Sequence, residues 1–292
     1  MHDIAKTMQA LPVTTEKHWD RLCDHFQAPL GQRWIYGAAA ARLGRRVERI
    51  AVMHGDVPVA LSQTVSRKYV GVHLSLSTGG PLLCPSVNKE TALSALKQPQ
   101  AWPHIFIGTP NKPLGKLPLS KATSHCILDI SQDLDRLRAN LHGKWRNALR
   151  KAEKAGVKSA QVQPRPQALM PLLAAEKQRQ AQVNYRAIPP EFTLALQEVA
   201  PRSLRLFEVL DAQMLFLKHG NSATYHIGHT GPQGRAINAH NLILWQAIKV
   251  LKSQGVTRLY LGSIDPQRAA SLARFKLRTG AEVFRGFAAH LM

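Results

Sequence analysis

The sequence predicts an α/β protein of two domains, each a mixed sheet flanked by helices, and three observations point that way. Its 292 residues exceed the ~150 residues of an ordinary domain. Hairpins follow helices in both halves, at Arg49–Ser66 and again at Leu204–His229. The last third runs from the strand Tyr225–Gly228 through a glycine-bearing turn into the amphipathic helix Ala239–Ser253 and the strand Arg258–Asp265, an alternation of periods 2 and 3.6. The expected boundary falls between residues 130 and 131. Thin residue identity between the halves leaves an internal repeat as an expectation.

Along the first domain, Glu16–Gln27 and the Ala-rich Trp34–Leu43 read as helices, the second ended by Gly44. Arg49–His54 and Val57–Ser66 alternate apolar and polar residues about Gly55-Asp56, a hairpin turn. Val70–Ser77 continues the sheet until Gly79-Gly80-Pro81 breaks it. Asn88–Leu96 reads as a helix, and His104–Thr109 and Ser124–Asp129 as strands flanking a loop at Pro110–Pro118.

The second domain opens with a long basic helix over 131–155. Asp133 and Asp135 suit its first turn, and Gly156 ends it where a left-handed cap costs least. Leu134, Leu137, Leu141, Trp145, Leu149 and Ala152 form its apolar stripe. On the other face Arg146, Arg150 and Lys154 lie four apart and Lys144 and Lys151 seven apart. Such like charges cost a few tenths of a kcal/mol per pair, so stability alone does not select them, whereas a phosphate backbone would. Helices over Gln167–Gln182 and from Pro189-Pro190 to Val199 follow. Strands at Leu204–Leu210, Met214–His219 and Ser222–His229 then turn at Asp211-Ala212 and Gly220-Asn221.

Composition narrows the function. Thirty-nine Lys and Arg against eighteen Asp and Glu give +21, a field that draws polyanions and speeds their encounter. RNA, anionic lipid or a phosphorylated substrate are the natural partners. No apolar run reaches the ~18 residues of a membrane span, and the N-terminus lacks the pattern of a secretory leader, so the expectation is a cytoplasmic protein. Cys23, Cys84 and Cys126 lie far apart and imply neither a disulfide framework nor a zinc site. No metal is expected. Gly-x-Ser-x-Gly, Walker and His-Glu-x-x-His motifs are missing from the sequence, which sets hydrolase, kinase and metalloenzyme chemistry below acyl transfer.

Four segments carry a family resemblance: Lys144-Trp145-Arg146-Asn147 through Val157, Ala239-His240-Asn241 through Gly255, Leu259–Asp265, and Leu272-Ala273-Arg274-Phe275-Lys276. In order and spacing they resemble the FemABX-like aminoacyltransferases of the Gcn5-related N-acetyltransferase superfamily. The resemblance implies two tandem acetyltransferase-like domains that move an amino acid from aminoacyl-tRNA to an amine, such as that of a peptidoglycan precursor, with no bound cofactor. This chain departs from the family in lacking the helical-hairpin arm some members carry, and in placing Tyr260 and Ser263 where an acidic residue and a second glycine are usual. Two alternatives are an N-acyltransferase fed by acyl-coenzyme A or an acyl carrier protein, and a nucleic-acid-binding protein without turnover. A coenzyme A enzyme of this fold would carry a loop of Arg or Gln, two residues, Gly, one residue, then Gly or Ala. Gly231-Pro232-Gln233-Gly234-Arg235-Ala236 keeps the second half of that loop and loses the first.

By the resemblance, Lys276 contacts acceptor phosphates or developing charge, with Phe275 beside it. Arg274 and Arg278 present forks to phosphate oxygens. Lys144, Arg146, Arg150, Lys151 and Lys154 extend the anion-binding face, and Tyr225 and Trp245 are the expected aromatic contacts. His226 and His229, with His240 close in sequence, are the candidate proton acceptors, since an imidazole titrates at ~6.5.

Overall fold

The computed structural model describes residues 8–69, 72–96, 104–107, 117–183 and 188–291. The chain forms two compact units, residues 1–123 with 285–292, and residues 124–284. Most of the predicted loop at Pro110–Pro118 lies outside the described residues.

In the first unit β1 (Met8–Pro12), α1 (Glu16–His25) and α2 (Trp34–Arg42) precede a meander of β2 (Arg46–His54), β3 (Val57–Tyr69) and β4 (Val72–Ser77). The short β5 (Leu82–Leu83), α3 (Lys89–Leu96), β6 (His104–Ile107) and β7 (Leu117–Pro118) complete it. Alternation along β2 and β3 splits their side chains between two cores. Ala51 and Leu61 pack with Trp19 and Leu22 of α1, whereas Ile50, Val52 and Ala60 pack with Leu93 and Leu96 of α3. A buried carboxamide ties the unit together: Gln32 donates to Ser77 Oγ at 3.0 Å and accepts from the Gln63 N–H at 2.7 Å.

The second unit begins with β8 (Thr123–Asp129), α4 (Leu134–Asn140), α5 (Gly143–Lys154), β9 (Ala160–Val162), α6 (Pro166–Val183) and α7 (Pro190–Val199). The meander β10 (Leu204–Val209), β11 (Ala212–His219) and β12 (Ser222–Thr230) follows, then α8 (Pro232–Ile237), α9 (Ala239–Ser253), β13 (Arg258–Ile264), α10 (Ala270–Leu277) and β14 (Glu282–Phe287). The sheet order is β14-β8-β13-β12-β11-β10-β9. Trp145 and Leu149 of α5 and Ile243, Leu244 and Leu251 of α9 bury against Phe207, Met214 and Phe216 of the sheet. The last strand, β15 (Ala289–Leu291), returns to the first sheet and pairs with both β6 and β7.

The helix expected over 131–155 is two helices. Leu141 and His142 are extended, with ψ of 134° and 142°. Asp133 caps α4 by accepting the Arg136 N–H, and His142 caps α5, its Nδ1 accepting the Lys144 N–H at 3.2 Å. The His142 N–H donates at 3.0 Å to the carbonyl of Arg278, a partner more than a hundred residues away that local periodicity does not reveal. The apolar stripe survives the break, since Leu137, Leu141, Trp145, Leu149 and Ala152 are all buried. The turn expected at Asp211-Ala212 is shifted by one residue: Ala212 already pairs with Val209, and Leu210 takes a left-handed φ of +51°.

Candidate functional site

The parallel strands β12 and β13 pair over only three positions, Ser222–Thr224 with Arg258–Tyr260, and then part. Tyr225 is the first residue of β12 past that pairing. Beyond Tyr260, β13 leans on β8 through a register shift at Gly262, whose φ of +80° is strained for a side chain. A gap therefore opens between two strands in the middle of the sheet.

Lys276 enters this region from α10. It is 5% exposed, and its Nζ donates to the Ser263 carbonyl at 2.8 Å and lies 5.9 Å from the Tyr225 ring centroid. Burial pulls its pKa from the ordinary 10.5 to about 8; Cys126 opposes that fall and Arg179 adds to it. Near neutral pH the ammonium persists, held in place with donor capacity left over.

The neighbouring residue, Phe275, turns to a pocket of about 270 Å³ between α5, α9 and α10, where Lys144, Trp145, Asn241, Arg274 and Arg278 join it. Its ring packs 5.9 Å from Trp145 and 6.3 Å from His240. The Trp145 indole Nε1 is buried without a hydrogen-bond partner among the described residues. An orphaned donor costs about 1–3 kcal/mol, a cost that an acceptor on a bound ligand removes. Cations, flat rings and an unpaired N–H together suit a nucleotide-like group.

The structure gathers Lys276, Tyr225, Phe275, Arg274, Arg278 and Lys144 around α10 and redistributes the rest. Arg150, Lys151 and Lys154 are exposed farther along α5. Arg146 reaches back to the Ala139 carbonyl at the end of α4, at 3.1 Å. Trp245 is core: 5% exposed, it packs against the sheet with the Arg138 guanidinium 5.7 Å from its ring. Trp145, which the helical stripe marks as core, is the indole on the pocket wall.

Neither candidate histidine base stands in the pocket. His226 shares a 2.8 Å hydrogen bond with Thr193 Oγ1 of α7, and burial pushes its pKa down to about 4. His229 is exposed, and its carbonyl accepts from His240 Nε2 at 2.8 Å. His125, which the sequence does not single out, lies across from Ser263 in the β8–β13 register. Burial, and then the charge of Lys276, lower its pKa to about 4. Folded-state values near 4 against ~6.5 in the unfolded chain mean that the unfolded state binds the extra protons. Stability is then whole above about pH 6.5 and falls as pH drops toward 4, by on the order of 2 kcal/mol for each of the two half-buried rings. We expect His226→Gln to flatten that acid limb in urea titrations. An unchanged limb would remove His226 from it.

The remaining glycine turn is occupied from within. The Asp211 carboxylate, in the β10–β11 turn, accepts from the Gln233 N–H at 3.0 Å and the Gly234 N–H at 2.6 Å at the start of α8. Among the described residues no cluster of His, Cys, Asp and Glu is placed to hold a metal ion, and no helix is long and apolar enough to cross a membrane.

No protein-family model and no curated protein matches the sequence. Solved structures do match it. The chain has a two-unit fold of the Gcn5-related N-acetyltransferase class. Specifically, it has the FemABX-like form of that fold: it superimposes on FemX with a TM-score of 0.77 over 98% of each chain, at 14% identity. A conserved protein of unknown function from Bacteroides thetaiotaomicron aligns at TM-score 0.58, 11% identity and 96% and 98% coverage of this chain and that one. The C-terminal domain of a putative lysylphosphatidylglycerol synthetase from Agrobacterium fabrum aligns at 0.50, 12% identity and 94% and 92% coverage.

Proposed function

We propose that this protein is an acyltransferase that forms an amide bond, moving an aminoacyl group from aminoacyl-tRNA to an amine acceptor such as a peptidoglycan precursor or another small amine, in the cytoplasm. One observation carries the reading: the buried Lys276 ammonium at the strand gap is one residue from the ring of Phe275 on the wall of a basic, aromatic pocket. The pocket takes the terminal nucleotides of the carrier, and the exposed cations of α5 take its backbone. No bound cofactor is required.

In the reaction the acceptor nitrogen attacks the ester carbonyl, a C–N bond forms and the C–O bond to the ribose breaks. The amine gives up a proton and the ribose oxygen gains one. Lys276, charged at neutral pH, places an N–H donor where negative charge develops on the carbonyl oxygen, the interaction that lowers such barriers most. With a pKa of about 8 it can also hand a proton to the leaving oxygen.

The test is transfer of label from a mixture of radiolabelled aminoacyl-tRNAs to a primary amine. Labelled amide is the expected product, with kcat falling as pH rises through about 8 and Lys276 loses its charge. Lys276→Arg, which stays charged, should keep reduced activity without that limb. Tight tRNA binding with no transfer from any amino acid would leave a nucleic-acid-binding protein in place of an enzyme.

A further inference from the structure

We infer that Asp211 is a specificity determinant: its carboxylate is a built-in occupant of the amide cradle between β12 and α8, and it shuts out donors that carry a diphosphate, coenzyme A among them. A strand leading through a glycine turn into a helix N-terminus is a ready site for phosphate, because free N–H groups converge there with the helix dipole. Here every N–H of the turn is accounted for. Gly231 donates to the Asp211 carbonyl at 3.2 Å and Arg235 to the Gly231 carbonyl at 3.1 Å. Pro232 has no N–H, and Gln233 and Gly234 are bound to the two carboxylate oxygens.

The two glycines are fitted to this occupant. A Cβ at Gly231 would collide with the Asp211 carboxylate, and one at Gly234 with Thr230 Oγ1, Ala212 and the same carboxylate. The small residues thus admit an aspartate from the neighbouring turn into the space where they would otherwise admit a ligand. Leu210, just before it, is held at φ +51°, a conformation that costs an ordinary residue about 1–2 kcal/mol. The paired charge-assisted bonds of Asp211 offset that strain. A diphosphate would have to displace an anion tethered to the protein, whose effective concentration at the cradle far exceeds that of a free ligand, and would be repelled by the displaced carboxylate as well.

The inference concerns the turn alone and is independent of the aminoacyl reading. It is tested by calorimetric titration of the full chain with coenzyme A and, separately, with inorganic pyrophosphate, for wild type, Asp211→Ala and Asp211→Asn. Wild type should show no saturable binding of either probe. Asp211→Ala should bind pyrophosphate about tenfold or more tightly than wild type, and the Gln233 and Gly234 amides should lose hydrogen-exchange protection. Asp211→Asn, which keeps the volume and one acceptor, should fold even where the alanine variant does not, and should show a smaller gain. Saturable coenzyme A binding by wild type overturns the inference, as does a folded variant that binds pyrophosphate no better.

Discussion

Lys276→Met should abolish acyl transfer and at the same time make the protein more stable at pH 7. Between the ordinary value of 10.5 and a folded value of about 8, at about 1.4 kcal/mol per pH unit, keeping the ammonium buried costs on the order of 3 kcal/mol below pH 8. Methionine has a similar length and no charge to desolvate. Its substitution leaves the Ser263 carbonyl without its donor, which returns about 1–3 kcal/mol, centrally about 2, so a net gain of about 1 kcal/mol remains. Because the unfolded chain holds the proton more tightly than the folded one, wild-type stability rises as pH climbs from 8 to 10.5, and the advantage of the variant shrinks over that window. Chemical denaturation at pH 7 and pH 10 reads both effects. A variant that is inactive and destabilised at both pH values would make Lys276 a structural residue and remove it from the transfer reaction. A residue that costs stability where it sits marks a position shaped by something other than folding.

Reversing the three cations at the pocket, Lys144→Glu, Arg274→Glu and Arg278→Glu together, should weaken tRNA binding by about 10²- to 10³-fold and reduce the log-log salt slope by roughly 2, at ~0.7 for each phosphate contact to a single strand. Filter binding between low and physiological salt measures both. Lys144 is exposed on α5, Arg274 is exposed on α10 and Arg278 is half-buried, so the fold should tolerate the change. Comparable reversal of Arg150, Lys151 and Lys154 tests the distal half of the face. Equal losses from the two triples would make the binding diffuse; a dominant loss from the first would centre it on the pocket.

Much of the fold was legible because its signals are local. The β2–β3 hairpin about Gly55-Asp56, the α9 stripe from Ala239 and the strand Arg258–Ile264 each announce themselves by period and punctuation. Lys276 and Phe275 could be reached through their segment. What escaped depends on partners far away in sequence. The α4–α5 break relies on His142 meeting the Arg278 carbonyl. His125 stands near Lys276 only through strand register. Asp211 lies twenty-odd residues before the turn it fills, with no periodicity to connect them. Trp145 and Trp245 occupy equivalent places on apolar stripes, so hydrophobic period alone could not tell which indole edges the pocket. Strands as short as β9 and β15, three residues each, carry too little pattern to detect.

β15 also governs the order in which the protein can be made. It is hydrogen-bonded to β6 and β7 in the first sheet, yet the whole of the second unit is translated between those strands and β15. At about 5–20 residues per second, roughly 10–30 s separate the emergence of β7 from that of its partner. The β9–β12 pairings of the second sheet can form while the nascent first sheet still presents an open edge to chaperones and to neighbouring chains.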